Sequence, residues 1–215
     1  MTDRHATLGR PLLDVVAAAL RGVPGTGVDP ADVVVQLREK DLEGRALTEL
    51  AWGLRGITAE AGARLYVNDR LDVALAVHAD GVHLGGTSLA IADAARTAPE
   101  LAISVSTHGP ADVTAAAKAA AKSAVRSGKI AFALYGPVRD TPAKRRYGPP
   151  LGLASLAEAA RIGVPLIAIG GLAADDVPAA LASGARGVAC IRAVMAAADP
   201  AFSVGSLCRY LSDLG

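Results

Sequence analysis

Aromatic side chains are scarce in this 215-residue chain, at 3% of the total, and cysteine is scarcer still, with only Cys190 and Cys208. Two cysteines cannot build a disulfide framework, and neither belongs to a CxxC or a Cys/His cluster of zinc spacing. An excess of either charge is also missing: 22 Lys+Arg stand against 21 Asp+Glu, for a net charge of +1. With little basic excess and few stacking rings, general nucleic-acid binding lacks both of its requirements. No apolar run reaches the roughly 20 residues of a membrane-spanning helix. The first fifteen residues carry Asp3, Arg4, His5, Arg10 and Asp14, where a signal peptide would be apolar. A cytoplasmic protein with no nucleic acid and no membrane among its partners is expected. What is abundant is aliphatic: 52% of residues are hydrophobic. A chain of this length can enclose one large core, so a single domain over residues 1–215 is expected.

Short β-branched or aliphatic runs alternate with longer Ala-rich segments. Strands are expected at Val33–Leu37, Leu65–Asn68, Gly81–Leu84, Leu101–Ser104, Ile130–Leu134, Pro165–Ile169 and Gly187–Ile191. Helices are expected at Leu12–Arg21, Arg45–Ala61, Leu71–Val77, Ser88–Ala98, Ala111–Arg126, Leu153–Ile162, Ala174–Ser183 and Ala201–Leu211. Strict alternation implies parallel strands joined by right-handed crossovers, in an open doubly wound sheet or a closed (β/α)8 barrel. No GxGxxG follows the first strand and no GxxxxGK[ST] occurs, so the dinucleotide and P-loop versions of the open sheet lose support. A faint echo of Ala79–Leu84 in Ala185–Cys190, about half a chain later, suits two similar half-barrels. The expected fold is α/β, a (β/α)8 TIM barrel whose first strand is truncated at Met1.

In a barrel the residues that follow each apolar run collect at one mouth, where catalysis occurs. Here those residues are polar. Gln36, Arg38 and Lys40 alternate, which turns all three to one side of an extended segment. A guanidinium fork and a compact ammonium suit a multiply charged phosphate; the competing reading is a solvated loop neutralised internally by Glu39 and Asp41. The Asp69 carboxylate, next to Asn68, suits a hard divalent cation that completes its shell with water and phosphate, or it caps the helix expected at Leu71. For His108, which follows Ser106, a satisfied structural histidine is the default, and His83 equally fills a core. The loop Gly136–Gly152, with its four prolines, carries Thr141 and Lys144, and long loops inside compact domains are often functional. Gly170-Gly171 before a helix exposes backbone N–H groups that, with Cys190-Ile191-Arg192-Ala193, would form a phosphate cup. A tight turn explains the same glycine pair.

In their order these segments resemble the thiamin phosphate synthase family and its sister branch, the thiazole tautomerases. The likeness runs from Met1 to about Pro200. It rests on Val35-Gln-Leu-Arg-Glu-Lys-Asp41, Val67-Asn-Asp-Arg-Leu-Asp-Val-Ala-Leu75, Ala79-Asp-Gly-Val-His-Leu-Gly85, Val105-Ser-Thr-His108, Tyr135-Gly-Pro-Val138, Thr141-Pro-Ala-Lys144, Ala168-Ile-Gly-Gly171 and Gly184-Ala-Arg-Gly-Val-Ala189. The resemblance implies a magnesium-assisted transfer in which hydroxymethylpyrimidine diphosphate loses pyrophosphate and the nitrogen of a thiazole phosphate attacks the pyrimidine cation. It also implies roles. Arg38, Lys40, Asn68 and Lys144 would hold the departing pyrophosphate, with Ser106 in contact, and Asp69 would bind Mg²⁺. Gln36 would orient the pyrimidine, while Thr141, Gly170 and Gly171, beside Ile191 and Arg192, would hold the thiazole phosphate.

Three positions depart from the synthase pattern. Where the synthases carry Gln and, two residues on, a second magnesium carboxylate, this chain has Gly86 and Ser88, which should lower metal affinity. The second Thr of the Thr-x-Thr-Lys motif is Ala143, and the Ser near the phosphate cup is Arg192. In the tautomerase branch a histidine matching His108 transfers protons, which a near-neutral imidazole suits. That branch tends to lack counterparts of Lys40 and Asp69, so keeping both places this chain nearer the synthases. A binding protein that has lost catalysis and a homodimeric assembly both stay open.

Overall fold

The alternating pattern folds as the periodicity implies. α1 (Leu12–Leu20) precedes β1 (Val34–Leu37), α2 (Gly44–Ala61), β2 (Arg64–Asn68), α3 (Leu71–Ala76), β3 (Gly81–Leu84), α4 (Ile91–Thr97), β4 (Ala102–Thr107) and α5 (Pro110–Ala121). There follow β5 (Phe132–Tyr135), α6 (Gly152–Ala160), β6 (Leu166–Ile169), α7 (Val177–Ala182), β7 (Gly187–Ala189), α8 (Arg192–Met195) and α9 (Pro200–Ser212). The computed structural model describes residues 1–123, 128–141 and 148–212. Strand order follows chain order from β1 to β7, which is α/β connectivity of the TIM-like kind. The expected eighth strand is not among the described elements: Met1–Asp3 forms none, although Thr2 N donates to Gln36 O at 2.8 Å. Among the described residues no helix is long and apolar enough to cross a membrane.

The chain divides into two compact units, Met1–Val82 with Ile191–Gly215, and His83–Cys190. In the first, β1 and β2 pair in parallel, with Val35 opposite Leu65, Gln36 opposite Tyr66 and Leu37 opposite Val67. All six side chains are buried, as expected of parallel strands covered on both faces. The buried positions of α2, Leu47, Ala51, Leu54 and Thr58, recur every three or four residues and form one helical stripe. Gly62, at φ 71°, ends α2 with Ala63 N bonded to Thr58 O and Gly62 N to Ala59 O, a left-handed closure that a glycine adopts without Cβ strain. α3 closes the same way through His78 at φ 50°, a strained choice for a residue with a side chain.

In the second unit β4, β5, β6 and β7 form consecutive parallel pairs, with Ser106 opposite Leu134, Tyr135 opposite Ala168 and Ile169 opposite Ala189. β4 extends three residues beyond the expected end at Ser104. Its hydroxyls find partners inside the unit, so they do not end the strand: Ser104 Oγ lies 3.0 Å from His83 Nδ1, and Thr107 Oγ1 donates to Leu134 O at 3.1 Å. α4 starts three residues later than expected because Ser88 is spent on a turn. The segment expected as one helix at Ala174–Ser183 is a 3-10 turn, Ala174–Asp176, followed by α7. β7 stops at Ala189, and the four-residue α8, which buries Val194 and Met195, follows it unannounced by periodicity.

Candidate functional site

The extended run ends at Leu37, so the expected alternation of Gln36, Arg38 and Lys40 is not carried through: Arg38 lies just past β1 and the exposed Lys40 sits in a turn that Leu42 N closes on Glu39 O, and the charges here are sorted in a way the local sequence does not suggest. Glu39 and Asp41 do not neutralise Arg38 and Lys40. They belong to the N-terminal segment. Arg4 N donates to Glu39 Oε1 and Oε2 at 3.1 and 3.2 Å, and Arg4 Nη1 to Glu39 Oε2 at 3.3 Å. The same guanidinium grips Asp41 with two bonds of 2.6 Å, and His5 Nε2 lies 3.0 Å from Asp41 Oδ2. The Arg4 hydrogen bonds, then His5, hold the Asp41 carboxyl well below the usual carboxylate range, and Asp41 in turn raises Arg4. Among the described residues neither Arg38 nor Lys40 makes an ion pair, so two cations stand unneutralised beside a strand end. Two and four residues before them, Gln36 is buried, and its Nε2 has no hydrogen-bond partner among the described residues.

Asn68 ends β2 and Asp69 follows it. Asp69 sits at φ 63°, in the left-handed region that Asp tolerates better than most side chains, and its Oδ2 accepts from Asn68 Nδ2 at 2.7 Å. The residue at the N-cap of α3 is Arg70, and Leu71 N bonds to Asp69 O, so Asp69 stands one residue before the cap position. Arg70 is committed elsewhere, bonded to Asp72 through Nε at 2.8 Å and Nη2 at 2.5 Å. In the same unit Ile191 precedes α8, and Arg192, exposed, starts it.

In the second unit His83 is 2% exposed and bridges two serines, Ser104 through Nδ1 and Ser106 through Nε2 at 2.8 Å. It does fill core, as one reading allowed, and it also fixes the half-buried Ser106 hydroxyl. That coupling is invisible in sequence because it joins neighbouring strands. His108 Nδ1 lies 2.6 Å from Gly136 O, which can only accept, so the ring is oriented by an Nδ1–H bond to that carbonyl. Gly170 and Gly171 take φ of 101° and 67°, and a Cβ on Gly170 would lie 2.6 Å from Pro137 Cβ. Val138 N donates to Ile169 O and Arg139 N to Gly170 O, so the glycine pair is a tight turn that seats the 137–140 loop. That loop leads to Thr141, whose buried Oγ1 has no hydrogen-bond partner among the described residues. Ser88 Oγ accepts from Gly85 N at 2.5 Å, and Gly86, beside it, has open space around its Cβ position. Ala143 and Lys144 lie outside the described residues.

Among the described residues no three His, Cys, Asp or Glu side chains cluster as a metal cage. A single half-buried carboxylate beside an amide fits a magnesium ion that takes most of its shell from water and substrate phosphate.

Parallel strands that end in unpaired cations and unsatisfied donors define a class, the α/β enzymes that handle phosphorylated small molecules. Within that class the family is narrower. The chain belongs to the thiamine monophosphate synthase family, whose model matches residues 1–194. It is 46% identical to a Geobacter sulfurreducens relative, over 93% of this chain and 87% of the relative. With the thiamine-phosphate synthase of Roseiflexus castenholzii it shares 39% identity, over 97% of this chain and 85% of that one. Among solved structures, the thiamine phosphate pyrophosphorylase of Pyrococcus furiosus superposes with a TM-score of 0.82 at 31% identity, covering 100% of this chain and 95% of that one.

Proposed function

We propose that this protein is a magnesium-dependent thiamine-phosphate synthase, a transferase that joins hydroxymethylpyrimidine diphosphate to a thiazole phosphate and releases pyrophosphate. One observation carries the reading. Among the described residues the buried side-chain atoms without a hydrogen-bond partner are Gln36 Nε2 and Thr141 Oγ1, and these are the groups assigned to the pyrimidine and to the thiazole phosphate. Leaving a buried donor unsatisfied costs about 1–3 kcal/mol, a cost that substrate binding would remove.

The chemistry follows from charge. The C–O bond to the diphosphate breaks with its electron pair going to the leaving group, and the thiazole nitrogen lone pair then forms the new C–N bond. Charge grows on the diphosphate as the bond breaks, and the unpaired Arg38 and Lys40, with Asn68 and Lys144, stabilise it more in the transition state than before. Ser106, its rotamer set by His83, adds a hydroxyl to the same group. Gln36 orients the pyrimidine. Thr141, Gly170 and Gly171, with Ile191 and Arg192, hold the thiazole phosphate. A magnesium ion held by Asp69 would supply further charge neutralisation for the diphosphate. The fold this reading expects, one domain forming a (β/α)8 barrel with a short first strand, is supported by Thr2 bonding along β1. Two free thiols suit the cytoplasm.

The test is direct. Purified protein, both substrates and Mg²⁺ should yield thiamine phosphate and pyrophosphate in equal amounts; normal binding of both substrates with no product at any Mg²⁺ concentration would sink the claim. The bond from His108 Nδ1 to Gly136 O, which orients the imidazole, favours one second reading, a thiazole tautomerase. On that reading His108→Ala would abolish isomerisation of the thiazole carboxylate phosphate while EDTA would leave it unchanged.

A further inference from the structure

Residues 38 to 41 alternate in sign, Arg, Glu, Lys, Asp, and such a segment ordinarily neutralises itself. Here it does not. Glu39 is almost wholly buried, its side chain 2% exposed, and buried carboxylates need partners. The nearest cations in sequence are Arg38 and Lys40. Glu39 instead accepts from the Arg4 backbone N–H and Nη1, from 35 residues away, and Asp41 accepts from Nη1 and Nη2 of the same guanidinium. Thr2 sets the register: its N–H donates to Gln36 O, and its Oγ1 accepts from Arg38 N at 2.9 Å. Residues 2 to 5 are therefore stitched along 36 to 41 at four positions.

We infer that Arg4 is a positioning residue for the diphosphate site: by taking up Glu39 and Asp41 it keeps Arg38 and Lys40 unneutralised for the leaving pyrophosphate. The inference rests on the transferase reading above. Without Arg4, the Glu39 carboxylate is left with Arg38 or Lys40 as counter-ion, and each cation so engaged is lost to the ligand.

Inorganic pyrophosphate at fixed Mg²⁺ is the probe, with affinity read by calorimetry. Arg4→Gln should weaken pyrophosphate binding about tenfold and raise KM for the pyrimidine diphosphate while leaving KM for the thiazole phosphate unchanged. A role in electrostatics makes a further demand that a merely structural tether does not. Arg4→Gln with Glu39→Gln and Asp41→Asn removes the rival carboxylates together with their clamp, so it should regain wild-type affinity to within about threefold. Unchanged binding in Arg4→Gln, or a triple variant as weak as the single one, overturns the inference. If Arg4→Gln alone does not fold, the triple variant decides by itself: near-wild-type affinity supports the positioning role and weak binding ends it. Arg38→Ala separates the two levels. Wild-type protein that binds no pyrophosphate, or binds it independently of Arg38, defeats the transferase reading itself, whereas Arg38-dependent binding that ignores Arg4 defeats the positioning role alone.

Discussion

Gln36 and Asp69 show stability given up at single residues. Gln36 Nε2 is a buried donor without a partner among the described residues, so Gln36→Leu, similar in volume, should raise stability by about 1 kcal/mol in urea denaturation. The same change should weaken the pyrimidine diphosphate by about tenfold or more; a variant that gains stability and keeps its KM would mean the amide serves no ligand. Asp69 carries its cost in the backbone, at φ 63°. Asp69→Gly fits that conformation and should hold stability within about 1 kcal/mol of wild type, whereas Asp69→Ala should lose about 1–2 kcal/mol. Both should lose Mg²⁺-dependent turnover. If Asp69→Ala were as stable as Asp69→Gly, the strain assigned to this position would be absent.

At the scale of elements, glycine positions carry the loops that seat candidate groups. Gly170 combines φ 101° with a Cβ position 2.6 Å from Pro137 Cβ, whereas Gly163, at φ 86°, has open space around it. Gly163→Ala should cost about 1 kcal/mol from conformation alone. Gly170→Ala adds a steric clash and should cost about 2–4 kcal/mol, and it should raise KM for the thiazole phosphate by shifting the loop that leads to Thr141. Equal urea midpoints for the two variants would rule out the close packing described. The sequence reading located these elements well because strands and helices differ in apolar period, and all seven strands fall within a few residues of their expected places. It failed where polar side chains sit inside a strand. Ser106 and Thr107 lie beyond the expected strand end at Ser104, yet they continue β4, with bonds to His83 and Leu134 O that reach 23 and 27 residues along the chain. Arg4 likewise carries no local signal, since its carboxylate partners lie 35 and 37 residues on. Candidate groups on strand ends were legible; what prepares them was not, because it is contact between distant segments.

For the whole molecule, near-neutral composition, +1 overall, leaves stability against pH to a few displaced groups on opposite sides of neutrality. On the acid side Asp41 and Asp72 are lowered, by the hydrogen bonds of Arg4 and Arg70 first. Between the folded and unfolded values the unfolded chain binds more protons, so their contribution is complete above about pH 4 and is lost as pH falls through the folded values. Both pairs are solvent-accessible, so salt should soften this acid limb. On the alkaline side burial raises Cys190, Cys208, Tyr66 and Tyr135. Here the unfolded chain gives up protons first, the thiols near about pH 8.5 and the phenols near about pH 10, so stability declines as pH rises through those values. Urea midpoints should therefore form a plateau bounded by two limbs of different origin. Replacing both cysteines by alanine should move the start of the alkaline limb from the thiol range to the tyrosine range and leave the acid limb where it was. A limb that does not move would locate the alkaline loss in the tyrosines alone.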